Sequence, residues 1–344
     1  MKRSIQILLF ITLLLGVSFS SEAQYFGKNK VNYEVFDFKI YETPNFEIYH
    51  YLEDEEEVKN FAQLCERWYR RHQQVFLDTL DKKNPIILYN NHPDFQQTTV
   101  TGGLIGIGTG GFTEGYRKRV VMPYSASNRE TNHVLGHELV HVYQYNMFKE
   151  SDSLGLRSTR NVPIWMIEGL AEYLSIGRSD VKTAMWMRDA VMQGDLPTLK
   201  DMSRNPQQYF PYRYGHVFWS YMTGLYGDGI IRPLVITSAK RGYKKAIKHF
   251  TGVSADSLST LWTQAVSNTH TPYLENRKDS EGEKLFDVSN AGKLNIAPSL
   301  SPNGENLIFI SDKNVISIDY FLADVDDKKI KKRLSNVIRG SHVD

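Results

Sequence analysis

Residues 134–144 read VLGHELVHVYQ. His137 and His141 stand four apart, Glu138 follows the first, and the other residues from Val134 to Tyr143 are uncharged. On a helix, positions i and i+4 lie one above the other. Both imidazoles can then aim a nitrogen at one ion about 2.0–2.1 Å away. Glu138 is rotated to the side, where it reaches a water on that ion and not the ion itself. The competing reading is two histidines that share a helix face by coincidence. The flanks Val134, Leu135, Leu139, Val140 and Val142 weigh against it. A buried helix does not hide two histidines and a glutamate without partners for them. A helix is predicted independently from about 127 to 148, because Ser127-Asn-Arg-Glu130 fits a capping box with Ser127 as N-cap and Glu130 reaching back.

A catalytic zinc needs a third protein ligand and one open position. Downstream stands Trp165-Met-Ile-Glu168-Gly-Leu-Ala-Glu172-Tyr173. Pro163 suits the first turn of a helix and Gly177 its end. Glu168 and Glu172 share a face of that helix, and two carboxylates there repel unless a cation or donor intervenes. Zinc on Glu168, with Glu172 accepting a hydrogen bond from a ligand histidine, removes the conflict. An exposed acidic stripe is the alternative. Ile164, Ile167, Leu170, Ala171 and Leu174 leave little of the helix for solvent, and Gly169 would let this helix and the histidine helix approach closely.

HELVH followed by WMIEGLAEY resembles the gluzincins, metallopeptidases whose third zinc ligand is a glutamate on a second helix. The E-G-x-A part is similar to their aminopeptidase branch and to bacterial peptidase MA-like domains. The resemblance covers roughly residues 40–270. It implies one Zn²⁺ held by His137, His141 and Glu168, with Glu138 as general base. Gluzincin aminopeptidases also carry a Tyr-x-Lys-Gly motif whose tyrosine donates to the oxyanion. Tyr212-Arg-Tyr-Gly215 keeps the tyrosine and glycine and replaces the lysine. Tyr212 is the candidate donor, with Tyr214 and His216 as rivals. Their amine-binding Gly-x-Met-Glu-Asn motif is matched only by Gly110-Gly-Phe-Thr-Glu114-Gly, which lacks the methionine and asparagine and has an extra residue. Aminopeptidase specificity is therefore not implied. An edge strand near Arg119 to Met122 is expected to pair with an extended peptide instead.

The fold class expected is α+β: a zincin-like metallopeptidase domain with a mixed sheet, an active-site helix and a helical C-terminal lobe, then a short all-β piece. Helical spacing runs from Asp54 to Phe76 and again near 180–193, 212–226, 228–239, 242–250 and 255–267. Strands are expected on either side of Thr43-Pro44-Asn45 and at Pro85 to Tyr89. Gly106-x-Gly108-x-x-Gly111 has dinucleotide-fingerprint spacing, but no helix opens inside it. Ala297 to Lys313, with Ser301-Pro-Asn-Gly304 before a strand, resembles one TolB-like propeller repeat. A blade cannot bury its faces alone. The chain is thus expected to be a fragment of a longer protein, or the piece to pack on the catalytic domain.

The 344 residues are 41% hydrophobic and 23% charged, with a net charge of +2. That leaves no electrostatic footprint for nucleic acid. Lys2 and Arg3, an apolar run from Ile5 to Val17, and Ser21-Glu22-Ala23 read as a signal peptide. The run falls short of the about 20 apolar residues that a membrane span needs. The expected boundaries are 1–23 leader, 24–275 peptidase domain, 276–290 linker and 291–344 propeller-like segment. The protein is expected to be exported, bacterial, and without a membrane span once matured. Its expected partners are a peptide or protein substrate and a protein bound through the propeller segment. The single cysteine, Cys65, has no disulfide partner and suits a buried position. The alternative from another class is a non-catalytic scaffold, which a fourth protein ligand or a blocked cleft would favour.

Overall fold

Alternation of side chains builds the first sheet. Val120 and Met122 face one side of their strand and Val121 the other, and each enters a different apolar cluster. The computed structural model describes residues 33–103, 105–106, 108–150, 155–275, 282–314 and 317–336. The leader reading at 1–23 falls outside these residues, as do 276–281 of the expected linker. The chain divides into one unit at Tyr33–Arg277 and a second that contains the described residues from 282 onward.

In the first unit the strands are β1 (Lys39–Glu42), β2 (Phe46–His50), β3 (Asn84–Tyr89), β4 (Phe112–Glu114) and β5 (Arg119–Pro123). Their order is β1-β2-β3-β5-β4. β2, β3 and β5 run parallel, and β1 and β4 close the two edges antiparallel. A parallel pair needs a long crossover; helix α1 (Glu55–Phe76) supplies it between β2 and β3. Its Asp54 cap accepts a bond from the Glu56 amide. One correction concerns the sheet edge. β5 lies inside the sheet, because the glycine-rich segment folds back as β4 and covers it. The edge is therefore Phe112–Glu114, and not Arg119 to Met122.

The remaining helices are α2 (His92–Phe95), α3 (Asn128–Glu150), α4 (Ile164–Ile176), α5 (Val181–Gln193), α6 (Leu199–Arg204), α7 (Pro211–Tyr226), α8 (Ile231–Arg241), α9 (Tyr243–Thr251) and α10 (Ala255–His270). From Leu135 to Phe148 α3 is buried nearly all round, whereas Asn128, Arg129 and Glu130 in its first turn are exposed; Leu135, Val140, Val142 and Tyr143 have no exposed surface. The capping box expected at its start does not form. Glu130 accepts from the Ser125 hydroxyl instead, and Thr131 Oγ1 accepts from the Ser125 amide. Cys65 is fully buried against the sheet. Among the described residues no helix is long and apolar enough to cross a membrane.

α1 grips α3 through two rings. A Cβ on Gly136 would stand 2.7 Å from the Trp68 indole, so only glycine fits there. His72, stacked on Trp68, donates from Nε2 to the Gly136 carbonyl at 2.9 Å. Burial pushes the His72 imidazole down to about 4, the carbonyl bond opposing and Arg71 adding to it. The unfolded chain takes up this proton near pH 6.5, and the folded chain refuses it. Folding stability contributed by the neutral ring is whole above pH 6.5 and falls by about 3 kcal/mol as pH drops toward 4. Urea titrations across that window are expected to show a shallower acid decline in His72→Gln. An unchanged slope would remove His72 as its source.

The second unit is an antiparallel sheet in simple order, β6 (Asn295–Leu300), β7 (Asn306–Asn314), β8 (Ser317–Asp324) and β9 (Lys329–Asn336). Ser301-Pro-Asn-Gly304 makes the expected turn, with Gly304 at φ 77°. Leu307, Phe309, Phe321 and Ala323 pack one face against Leu285 and Phe286. Asp319 is fully buried and pairs with Arg333 at 2.9 Å. The described residues of this unit show one sheet and no closed propeller. β6 and β9 went unread in the sequence because polar and basic residues break their alternation.

Candidate metal centre

The two helices that carry the histidines and glutamates meet with three atoms converging. His137 Nε2 and His141 Nε2 are 3.2 Å apart. Glu168 Oε2 lies 3.3 Å from each. Ligands about 2.0 Å from a tetrahedral ion stand about 3.3 Å from one another. The trio therefore has the dimensions of three corners of such a site. No further His, Cys, Asp or Glu completes a fourth corner among the described residues.

The tautomers are fixed from behind. His137 Nδ1 lies 3.1 Å from Glu172 Oε1, and His141 Nδ1 lies 2.8 Å from Gln144 Oε1. Gln144 is itself oriented, since its Nε2 donates to the Ile167 carbonyl at 3.1 Å. With Nδ1 protonated on both rings, both Nε2 lone pairs face the Glu168 carboxylate. Three electron-rich atoms in a buried space call for a cation. The electrostatics agree. Burial works against a charged His137, yet the carboxylates of Glu168 and Glu172 outweigh it and push the ring up to about 10. His141 shifts upward in the same way, against its burial and through Glu168. Glu168 and Glu172 are held well below the usual carboxylate range, the histidines overcoming their burial.

Glu172 is a hub. It accepts from His137, from His133 Nε2 at 3.1 Å and from Arg213 Nη1 at 3.1 Å. His133, His137 and Glu172 also come close enough to hold an ion. The guanidinium already supplies the positive charge there, and that trio serves as a hydrogen-bond cluster. Arg213 reaches on to Asp180 at 3.4 Å and to Thr183 Oγ1 at 3.3 Å, tying α7 to the start of α5.

Glu138 is buried beside the trio. The Thr113 hydroxyl, on β4, donates to its Oε2 at 2.7 Å. The glycines before β4 explain how that strand comes so near. A Cβ on Gly111 would crowd Val134, Met122 and the Glu138 side chain at 3.1–3.3 Å. Gly110 and Gly111 thus let the end of the glycine-rich segment close on the histidine helix.

The Tyr212 ring lies parallel to the His137 imidazole, 5.6 Å away at 12°. Burial and then the Glu168 charge raise its phenol above the ordinary value, so it keeps its proton. Its rivals point elsewhere. Tyr214 packs edge-on against Tyr209 and Trp186, and His216 Nε2 is 2.7 Å from the Gly177 carbonyl. Gly169 also acts elsewhere than expected. A Cβ on it would meet the Gly215 backbone at 2.2 Å, so it seats α4 against α7 and not against the histidine helix.

Sequence reasoning missed His133, Gln144, Arg213 and Thr113. His133 carried a signal, being four residues before His137 on the same face. Gln144 carried one too, three residues after His141 on the same helix; Arg213 and Thr113 carried none, because their partners lie on different elements. No curated protein matches the chain. Residues 99–264, which span His137, Glu138, His141, Glu168, Glu172 and Tyr212, match the family described as BSP, peptidase of plants and bacteria, and so support a peptidase-like domain.

Proposed function

We propose that the 33–277 unit is a zinc-dependent peptidase of gluzincin type, exported through the leader at 1–23. The observation that carries this reading is the 3.2–3.3 Å triangle of His137, His141 and Glu168, with Glu138 alongside. Two imidazoles and a carboxylate suit zinc, with a fourth position open for water or substrate. When bound, the cation supplies Lewis acidity that polarises a carbonyl and lowers the pKa of water. The chain's own groups do the rest. An extended peptide pairs with the β4 edge and brings its carbonyl to the triangle. Glu138, held by Thr113, takes the proton of the attacking water and passes it to the leaving amine. Tyr212 donates its hydroxyl to the developing oxyanion. Glu172 and Gln144 keep both histidines in the donor tautomer.

Purified protein is expected to hold one zinc per chain and to cleave a mixed peptide library. Chelation should stop cleavage and added zinc restore it. A chain without metal, or cleavage that persists in chelator, overturns the reading. Glu172→Gln is expected to weaken zinc binding about 10–100-fold, read by chelator competition. An unchanged affinity would mean that His137 is oriented without that carboxylate. The C-terminal sheet we read as one propeller-like repeat that presents a protein-binding face, with the Ser301-Pro-Asn-Gly304 turn as its support.

A further inference from the structure

The rings do not stop at Tyr212. Phe210 stacks on Tyr212 at 4.9 Å and 25°. Trp186 lies against Phe210 at 5.7 Å and 33°. His137, Tyr212, Phe210 and Trp186 thus form one continuous row of rings, the first three stacked and the last tilted, that starts on a candidate metal ligand. Burial falls along it, from 7% exposed at His137 to 39% at Phe210 and 38% at Trp186. The row is braced. Arg213 bonds Asp180 and Thr183, and this holds α5 beside α7 so that Trp186, a turn further on, meets Phe210.

Single exposed aromatics are common and need no explanation. A continuous row running from the reacting centre to the surface is a different matter, since apolar walls with few polar groups are what binding sites present. Building on the peptidase reading, we infer that Phe210 and Trp186 form a specificity subsite for an aromatic or large aliphatic side chain next to the scissile bond. A peptide whose carbonyl is held at the triangle lays a neighbouring side chain along this row. An apolar side chain leaves water there and gains ring contact. A carboxylate loses water and meets no counter-charge in the row.

The test uses zinc-loaded Glu138→Gln, which is expected to bind peptide without turnover. Blocked alanine hexapeptides carrying one Phe, Leu or Asp, scanned through the positions, are titrated calorimetrically. At one position Phe and Leu are expected to bind about tenfold or more tighter than the all-alanine peptide, and Asp no better. In the same background Trp186→Ala is expected to bring that advantage below about threefold, with zinc content retained. Equal binding of the Phe and Ala peptides, or an advantage that survives both Trp186→Ala and Phe210→Ala, overturns the subsite. Failure of the unmutated chain to cleave any peptide, with the binding preference intact, overturns the peptidase reading and leaves the subsite standing.

Discussion

Glu138→Gln lowers peptide turnover by about two to four orders of magnitude and leaves the metal in place; that is the expected result when a single proton acceptor is removed. The glutamine is isosteric, so it can still accept from Thr113 Oγ1, now 2.7 Å from Glu138 Oε2. The ligand triangle excludes Glu138, and metal affinity should therefore hold. The loss should fall on kcat, because the carboxylate acts when the proton moves and contributes little to holding the peptide. Elemental analysis and steady-state kinetics on the same preparation decide the matter. Full activity in the variant would assign the proton transfer to another group. Loss of the metal would instead make Glu138 part of the binding shell.

Gly215→Ala should cost about 3 kcal/mol or more of stability, the upper end for an overpacked contact. The new Cβ would lie 2.0 Å from the Trp165 carbonyl oxygen and 2.8 Å from Gly169 Cα. Both are backbone atoms, and no rotamer change relieves the clash, so α4 and α7 must move apart. α7 carries Tyr212 and Arg213, while α4 carries Glu168 and Glu172. Their separation pulls Arg213 from Glu172 and Tyr212 from His137. Zinc affinity should fall together with stability. Gly224→Ala on the same helix meets nothing within 4 Å and should be neutral, or stabilising by up to about 1 kcal/mol. Gly169→Ala opens the same contact, so the double variant should cost less than the two single changes added. Denaturant titration of the four variants reads this directly. A near-neutral Gly215→Ala would show that the helices can slide without loss.

Much of the helical frame was readable one element at a time. The spacing from Val58 to His72 marks the buried side of α1, and Pro163 and Gly177 bracket α4. Strand β2 shows in the alternation after Thr43-Pro44-Asn45, and β3 and β5 are short apolar runs. Where another contact, near or distant in the chain, competes with a local motif, the motif is not realised. Ser127-x-x-Glu130 is a sound capping pattern, but Ser125 took the carboxylate. Arg119 to Met122 has the composition of an edge strand, yet Gly110 and Gly111 let Phe112–Glu114 fold over it.

The candidate site divides along the same line. His137, Glu138 and His141 sit on one helix, where a period of 3.6 residues settles which side chains share a face. Glu168 and Glu172 are related in the same way on a second helix. From spacing alone, then, the chain determines two ready-made pairs and one carboxylate, Glu138, set aside from the histidines. What brings the pairs together is long-range: Gln144 on the first helix donates to the Ile167 carbonyl on the second, His133 and His137 meet Glu172, and the Gly169–Gly215 contact carries Arg213 and Tyr212 to them. A helix crossing depends on volume and backbone approach between residues distant in the chain, and no local period encodes it.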